Sequence, residues 1–273
     1  MDRLALSRGH LTPALSAHSF TTPYYIYKER HHKSSSHTKP QQIMLDALVH
    51  LDQTLTLAIN GSHSLWLDGF ALAVTATFTW MPAALVLFYV IIRHGEMKEI
   101  LLTLLAIGLC ILLADQIASG IFKPLVARPR PTQDALLMLR VDVVGNYRGG
   151  AFGFFSSHAA NTFAVATFVG LLIRHRLLSL VMTIWALLNC WSRIYLGVHY
   201  LGDVVVGICC GLLVGWLVYQ GFCRFIPRPE RPVGIGAVLQ THSGYALKDV
   251  MRLNITLVIL FIYCTFKGLL YAA

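Results

Sequence analysis

Ser192-Arg193-Ile194-Tyr195-Leu196-Gly197-Val198-His199-Tyr200-Leu201-Gly202-Asp203 is the stretch on which the fold turns. It closes one apolar run, Leu177 to Leu196, and opens another, Leu201 to Phe222. Each run has the length of about 20 residues that a membrane-crossing helix needs. An arginine, a histidine and an aspartate therefore sit at the mouth between two spans. Charge is costly at membrane depth, so ionisable groups there mark a functional site by default.

Outward from this hinge the same pattern repeats. Gly69 to Ile92 is apolar and uncharged, Ile100 to Ser119 carries Asp115 near its end, and Phe152 to Ile173 follows. Leu253 to Leu270, with Lys267 near its end, is the weakest run. The expected fold is all-α, a polytopic membrane helix bundle of five or six transmembrane helices. Pro82 is expected to kink the first span. Gly207, Gly211 and Gly215 recur every fourth residue, the spacing of close helix packing. No internal repeat is present.

Composition agrees with a membrane protein. Only 13% of the 273 residues are charged and 56% are hydrophobic, against about 25% charged in a soluble domain. The net charge of +9 falls in a tail, in short loops and at the hinge. With no basic-aromatic stripe, nucleic acid is not an expected partner. The bilayer and its phosphate headgroups are. No obligate protein partner is expected. The six cysteines lie in or beside apolar runs without a Cys-x-x-Cys pair, so they read as packing residues and no metal is expected.

Five regions follow. Residues 1–43 form a polar tail with no apolar run of the signal-peptide kind, read as disordered. Residues 44–64 carry Leu45, Leu48, Leu51, Leu55 and Ile59 at helical spacing, an amphipathic interfacial helix. Met44 is a candidate start of translation, which the mass of the native N-terminus decides. Residues 69–222 are the helical core, 223–252 a basic connection, and 253–273 an additional transmembrane helix. Arg93, Lys98, Arg174, Arg176 and the connection lie on one side, which the positive-inside rule makes cytoplasmic. The hinge and the Gly120 to Phe155 loop then face outward. The basic tail would face outward too, against the same rule, unless it is absent or residues 44–60 cross.

The polar residues at the span mouths suit a phosphate. Its transition state needs donors and cations around three equatorial oxygens. Lys123, Arg130 and Arg193 can supply charge, the arginines in a planar fork. Lys123, Arg128 and Arg130 also fit a blander reading, snorkelling to headgroups. Ser156-Ser157-His158 opens an uncharged helix whose free amides attract anions; Ser156 is equally an ordinary helix cap. His199 and Asp203, four apart, share a helix face, so the carboxylate can fix the imidazole tautomer and leave the other nitrogen to attack. Asp115 wants a partner, most simply a loop cation.

These spacings resemble the type 2 phosphatidic acid phosphatase and vanadium haloperoxidase superfamily over roughly Gly69 to Gln220. Lys, six residues and Arg-Pro is matched by Lys123 to Pro131. Ser-Arg, five residues, His, three residues and Asp is matched by Ser192 to Asp203. Pro-Ser-Gly-His is matched by Phe155-Ser156-Ser157-His158 with two departures, Phe155 for proline and Ser157 for glycine. The Cβ of Ser157 could narrow the site. The pattern looks most like bacterial integral-membrane lipid phosphatases acting on undecaprenyl diphosphate or lipid A.

The resemblance implies a phosphatase without cofactor or metal, in the bacterial inner membrane. His199 would attack phosphorus and form a phosphohistidine. Asp203 would orient it, and His158 would protonate the leaving group and then activate water. Lys123, Arg130, Ser156, Ser157 and Arg193 would hold the oxygens. The Pro131 to Gly150 loop, with Arg140, Asp142, Tyr147 and Arg148, is expected to shape headgroup selection. A phosphotransferase is the runner-up, because a lipid or sugar hydroxyl could take the place of water. A lipid-phosphate transporter is a weaker reading, since the chain lacks two related halves.

Overall fold

The first expected span is not one helix. The computed structural model describes residues 40–62, 64–226 and 239–273, so residues 1–39 of the tail and 227–238 of the connection lie outside the described residues. Helix α1 is Pro40–Ile59, α2 Leu65–Thr75, α3 Met81–His94 and α4 Met97–Asp115. Helix α5 is Ser157–Ile173, α6 Arg176–Tyr195, α7 Leu201–Phe225 and α8 Leu247–Ala272. Among the described residues there is no strand, only two isolated bridges. Five segments are long and apolar enough to cross a membrane: Thr77–His94, Met97–Val126, Arg176–Tyr195, Leu201–Phe225 and Leu247–Ala272. Helices α2 and α5 are shorter apolar helices. The fold is an all-α polytopic membrane bundle.

Its packing follows from which helix is apolar all round. Helix α5 is uncharged and apolar on every side, which places it at the centre. Ala159, Ala160, Ala164, Phe168, Val169 and Ile173 are fully buried. Leu85, Leu101, Leu105, Leu213 and Ile259 on the flanking helices are more than half exposed, as lipid-facing side chains are.

The glycine stripe lies between α5 and α7. A Cβ on Gly207 would meet the Ser156 carbonyl at 2.6 Å, and one on Gly215 the Ala164 carbonyl at 2.5 Å. At Gly211 it would press on the Ala160 carbonyl. Backbone cannot yield as a side chain can. Gly211→Val is expected to lower stability by at least ~3 kcal/mol, the upper range for overpacking. A thermal midpoint in detergent that matches the wild type would contradict this packing.

The expected kink at Pro82 is corrected to a break six residues earlier. The chain leaves α2 at Ala76 with extended φ/ψ of −73° and 117°. Pro82 sits in the first turn of α3, where its missing N–H is no loss. The break frees carbonyls that bilayer depth requires to be paired. Thr79 Oγ1 donates to Ala73 O at 2.8 Å, and Trp80 Nε1 donates to Val74 O at 2.9 Å. The third, from Thr75, belongs to the site below.

The third expected span begins at Ser157 rather than Phe152, because residues 151–153 pair with 128–130 instead. Arg130 N donates to Ala151 O at 3.3 Å, and Gly153 N donates to Arg128 O at 2.9 Å. A wide π-helical turn, Gln116–Phe122, continues α4 and brings Asp115, Ser119 and Lys123 onto one line.

Helix α1 docks through its polar stripe. Asp52, Thr56 and Asn60 recur every fourth residue and so share a face. The Asn60 side chain bonds both the amide and the carbonyl of Asp142, and also Tyr195 O. Thr56 Oγ1 accepts from Leu201 N at 2.9 Å, and Asp52 Oδ1 accepts from Gly202 N at 2.7 Å. Leu45, Leu48, Leu51 and Leu55 are left exposed.

Candidate active site

Two buried guanidiniums without a carboxylate mark the site. Arg130 is 7% and Arg193 3% exposed, and among the described residues neither forms an ion pair. Arg130 Nη1 donates to Val198 O at 3.1 Å and lies 3.3 Å from His199 Nε2. Arg193 Nη1 donates to the hydroxyls of Thr75 and Tyr147, the latter at 3.0 Å. The Nε of each arginine is buried and has no partner. Burial, and then the charge of Arg193, lower the Arg130 pKa. A buried charge of this kind is expensive unless something pairs it.

Lys123 adds a third cation at the end of the π-helical turn. Its Nζ donates to Ser119 Oγ at 3.0 Å and to Ser157 Oγ at 3.1 Å. Ser119 Oγ donates in turn to Asp115 Oδ1 at 3.1 Å. Asp115 thus meets its cation through a hydroxyl. The Ser157 hydroxyl, at the position where the resembled motif has glycine, is taken up by Lys123.

Arg128, two residues from Arg130, has the opposite surroundings. It donates to Asp52 Oδ2 at 2.7 Å and to Asp203 Oδ1 at 3.0 Å, and its guanidinium lies 3.6 Å from the Tyr200 ring centroid. Its charge is matched inside the protein. The choice between anion binding and a bland role therefore divides along the chain, with Arg130 open and Arg128 neutralised.

His199 lies in the turn between α6 and α7 and is 2% exposed. Arginine can only donate, so Nε2 facing Arg130 bears the lone pair and Nδ1 the proton. Nδ1 points toward Asp203 Oδ2 at 3.5 Å, too long for a good hydrogen bond, and is otherwise unpartnered. Asp203 Oδ2 also accepts from Tyr200 N at 3.1 Å. Burial first, and then the Arg130 charge, hold the His199 pKa well below the ordinary histidine value.

His158, in the first turn of α5, hydrogen-bonds the backbone of Thr75. Arg193 meets the same Thr75 through its hydroxyl, which sets His158 beside that guanidinium. Ser156 caps α5: its Oγ accepts from Ala159 N at 3.4 Å, and its own amide donates to Asp203 O at 3.0 Å. Gly149 has a φ of +67°, and a Cβ there would come 2.7 Å from Arg130 Nη1. The left-handed backbone and the nearby guanidinium both favour glycine at this position.

All eight residues singled out from the sequence, Lys123, Arg130, Ser156, Ser157, His158, Arg193, His199 and Asp203, converge at one end of the bundle. Thr75, Asp52 and the structural role of Arg128 were missed. Thr75 had no signal, since it matters only because α2 breaks. Asp52 could have been found from its fourfold spacing with Thr56 and Asn60. Of the headgroup-loop residues, Tyr147 reaches Arg193, whereas Arg148 ties back to Thr132, Asp142 docks on Asn60 and Arg140 is exposed.

Known proteins are similar to this chain. A lipid A 4'-phosphatase of Bacteroides thetaiotaomicron is 40% identical over 177 residues, 64% of this chain and 79% of that protein. A lipid A 4'-phosphatase of Porphyromonas gingivalis is 34% identical over 212 residues, 77% of this chain and 87% of that protein. The crystal structure of a transmembrane PAP2-type phosphatidylglycerolphosphate phosphatase from Bacillus subtilis superposes with a TM-score of 0.52 at 25% identity, covering 67% of this chain and 89% of that one. Residues 99–226, which hold every one of the eight convergent side chains, match the family model of the PAP2 superfamily. The family model and the two relatives together show that the chain belongs to the PAP2 superfamily.

Proposed function

We propose that the protein is a membrane lipid phosphatase that removes a phosphate from a lipid A-like glycolipid. The observation that carries the reading is the pair of buried, carboxylate-free guanidiniums, one of them 3.3 Å from a buried imidazole. Such a pocket is complementary to an anion with several oxygens. Lipid A as substrate rests on the two curated relatives.

In the proposed reaction His199 Nε2 attacks phosphorus, and Arg130 passes from the nitrogen to the incoming oxygens. The P–O bond to the lipid breaks, and His158, which takes up a proton from water once the phosphate dianion offsets the charges of Arg193 and Lys123, gives that proton to the departing oxygen. Water activated by His158 then cleaves the P–N bond, releasing phosphate. Lys123, Arg130, Arg193, Ser157 and the first amides of α5 hold the oxygens. Ser156 acts by capping that helix turn. Asp203 stabilises the ring proton on Nδ1, and its 3.5 Å separation is of the kind that tightens when substrate binds. The site faces outward from a bacterial inner membrane, because Arg93, Lys98, Arg174 and Arg176 cluster at the other end.

Phosphate release by purified protein in detergent tests the reading. Lipid A is expected to be the best substrate among lipid A, undecaprenyl diphosphate, phosphatidate and phosphatidylglycerol phosphate. Orthovanadate is expected to inhibit, and a chelator to leave the rate unchanged. No release from any of the four lipids overturns the phosphatase reading. Transfer of label to an added hydroxyl acceptor, without free phosphate, makes the enzyme a transferase. Loss of activity with chelator means that a metal takes part.

A further inference from the structure

A continuous polar chain joins the surface helix α1 to His199. Asp52 Oδ2 accepts from Arg128 Nη2 at 2.7 Å, and Arg128 Nη1 donates to Asp203 Oδ1 at 3.0 Å. Asp203, wholly buried, faces His199 Nδ1 with its other oxygen. Asp52 also accepts from Gly202 N at 2.7 Å, in the first turn of the helix that carries Asp203. One carboxylate on α1 therefore sets both where α7 begins and how Arg128 divides its charge.

The geometry points to Asp52 as a positioning residue for the reaction, holding Asp203 in reach of His199 through Arg128. This rests on His199 being the nucleophile. Arg128 is a planar fork with one branch on each carboxylate. With Asp52 in place, its charge is shared. Without Asp52, the whole charge falls on Asp203, which draws the carboxylate toward Arg128 and away from the Nδ1 proton. The imidazole then loses the support that makes Nε2 a good nucleophile. Substrate binding, which depends on Lys123, Arg130 and Arg193, is untouched.

The position of α1 makes this unusual. Its polar stripe holds the site while Leu45, Leu48, Leu51 and Leu55 face outward. A helix docked by apolar packing would tolerate small shifts. Leu57 and Ile59 do pack on the core, but the bonds of Asp52, Thr56 and Asn60 transmit such shifts, since hydrogen bonds weaken steeply with misalignment.

Asp52→Asn isolates the charge, because the amide oxygen can still accept from Gly202 N. With the best of the four lipids as substrate, kcat is expected to fall by roughly 10- to 100-fold, the cost of a misplacement of about 1 Å. KM is expected to stay within about twofold, as for loss of an interaction made only in the transition state. Asp52→Glu should restore most of kcat. Arg128→Lys cannot bridge both carboxylates and should also lower kcat. Adding Asp52→Asn to the Arg128→Lys background should then cost little more, because both act through one link.

Wild-type kcat per folded molecule in Asp52→Asn overturns the proposal, as does a fully additive double variant. If Asp52→Asn does not fold, Arg128→Lys with wild-type kcat overturns it alone. The nucleophile assignment is tested separately: an inactive His199→Asn beside a fully active Asp52→Asn sinks this inference and leaves the proposed reaction standing.

Discussion

Purified His199→Asn protein is expected to release no measurable phosphate, a loss on the order of 10⁶-fold, the cost of deleting a nucleophile. The asparagine keeps a side chain of similar bulk between Arg130 and Asp203, so the fold should survive. Rapid quenching of the wild type with radiolabelled lipid should trap an acid-labile, alkali-stable phosphoenzyme, with the label on the peptide that contains His199. Normal turnover by the variant would falsify the assignment. The same pair of proteins gives the ring's ionisation. The resonance of labelled imidazole nitrogen present in the wild type and missing from the variant should titrate below the ordinary value of about 6.5. The direction follows from burial and from Arg130, both of which disfavour the charged ring. A folded-state value below the unfolded one means that the unfolded chain binds the extra proton first. This contribution to stability is therefore present above about pH 6.5 and is lost as pH falls. A midpoint at or above 6.5 would contradict the buried, cation-flanked setting.

His158→Ala is expected to lower kcat/KM by about 10²- to 10⁴-fold on an alkyl phosphate, the usual worth of a positioned acid. On a nitrophenyl ester the loss should be no more than about tenfold, because that leaving group hardly needs a proton. The ratio kcat/KM isolates the first step and excludes the part of His158 in activating water. Equal losses on both substrates would remove the acid role and leave His158 as a binding residue. Thr75 enters here through its carbonyl. The extended turn at Ala76 frees that group, and the His158 ring is what pairs with it.

The site was legible because its chemistry is written in spacing. Lys123 to Pro131 and Ser192 to Asp203 keep their intervals, and those intervals put each side chain at a helix end. The interval from Lys123 picked out Arg130 through the resemblance, but by their residue type alone Arg128 and Arg130 shared one bland reading, since two arginines flanking a proline look alike in a chain. What separates them is the company of Asp52 and Asp203, which come from 76 and 75 residues away. The break at Ala76 was invisible for a different reason. Gly69 to Ile92 is uniformly apolar, and hydropathy reports burial in lipid without reporting continuity of the helix. Pro82 drew the attention, but at the first turn of α3 it obeys the helix instead of bending it.

Composition and periodicity alone determined that this chain crosses a membrane as a helical bundle and that its cations and histidines sit at the ends of the spans. That follows from a local cost: each backbone group and each charge must be satisfied wherever it lies along the chain. Tertiary structure alone decided which cations remain unpaired, which nitrogen of His199 carries its lone pair, and that α1 holds the site by its polar side. Those are questions of neighbourhood, and a neighbour across the fold leaves no trace in local spacing.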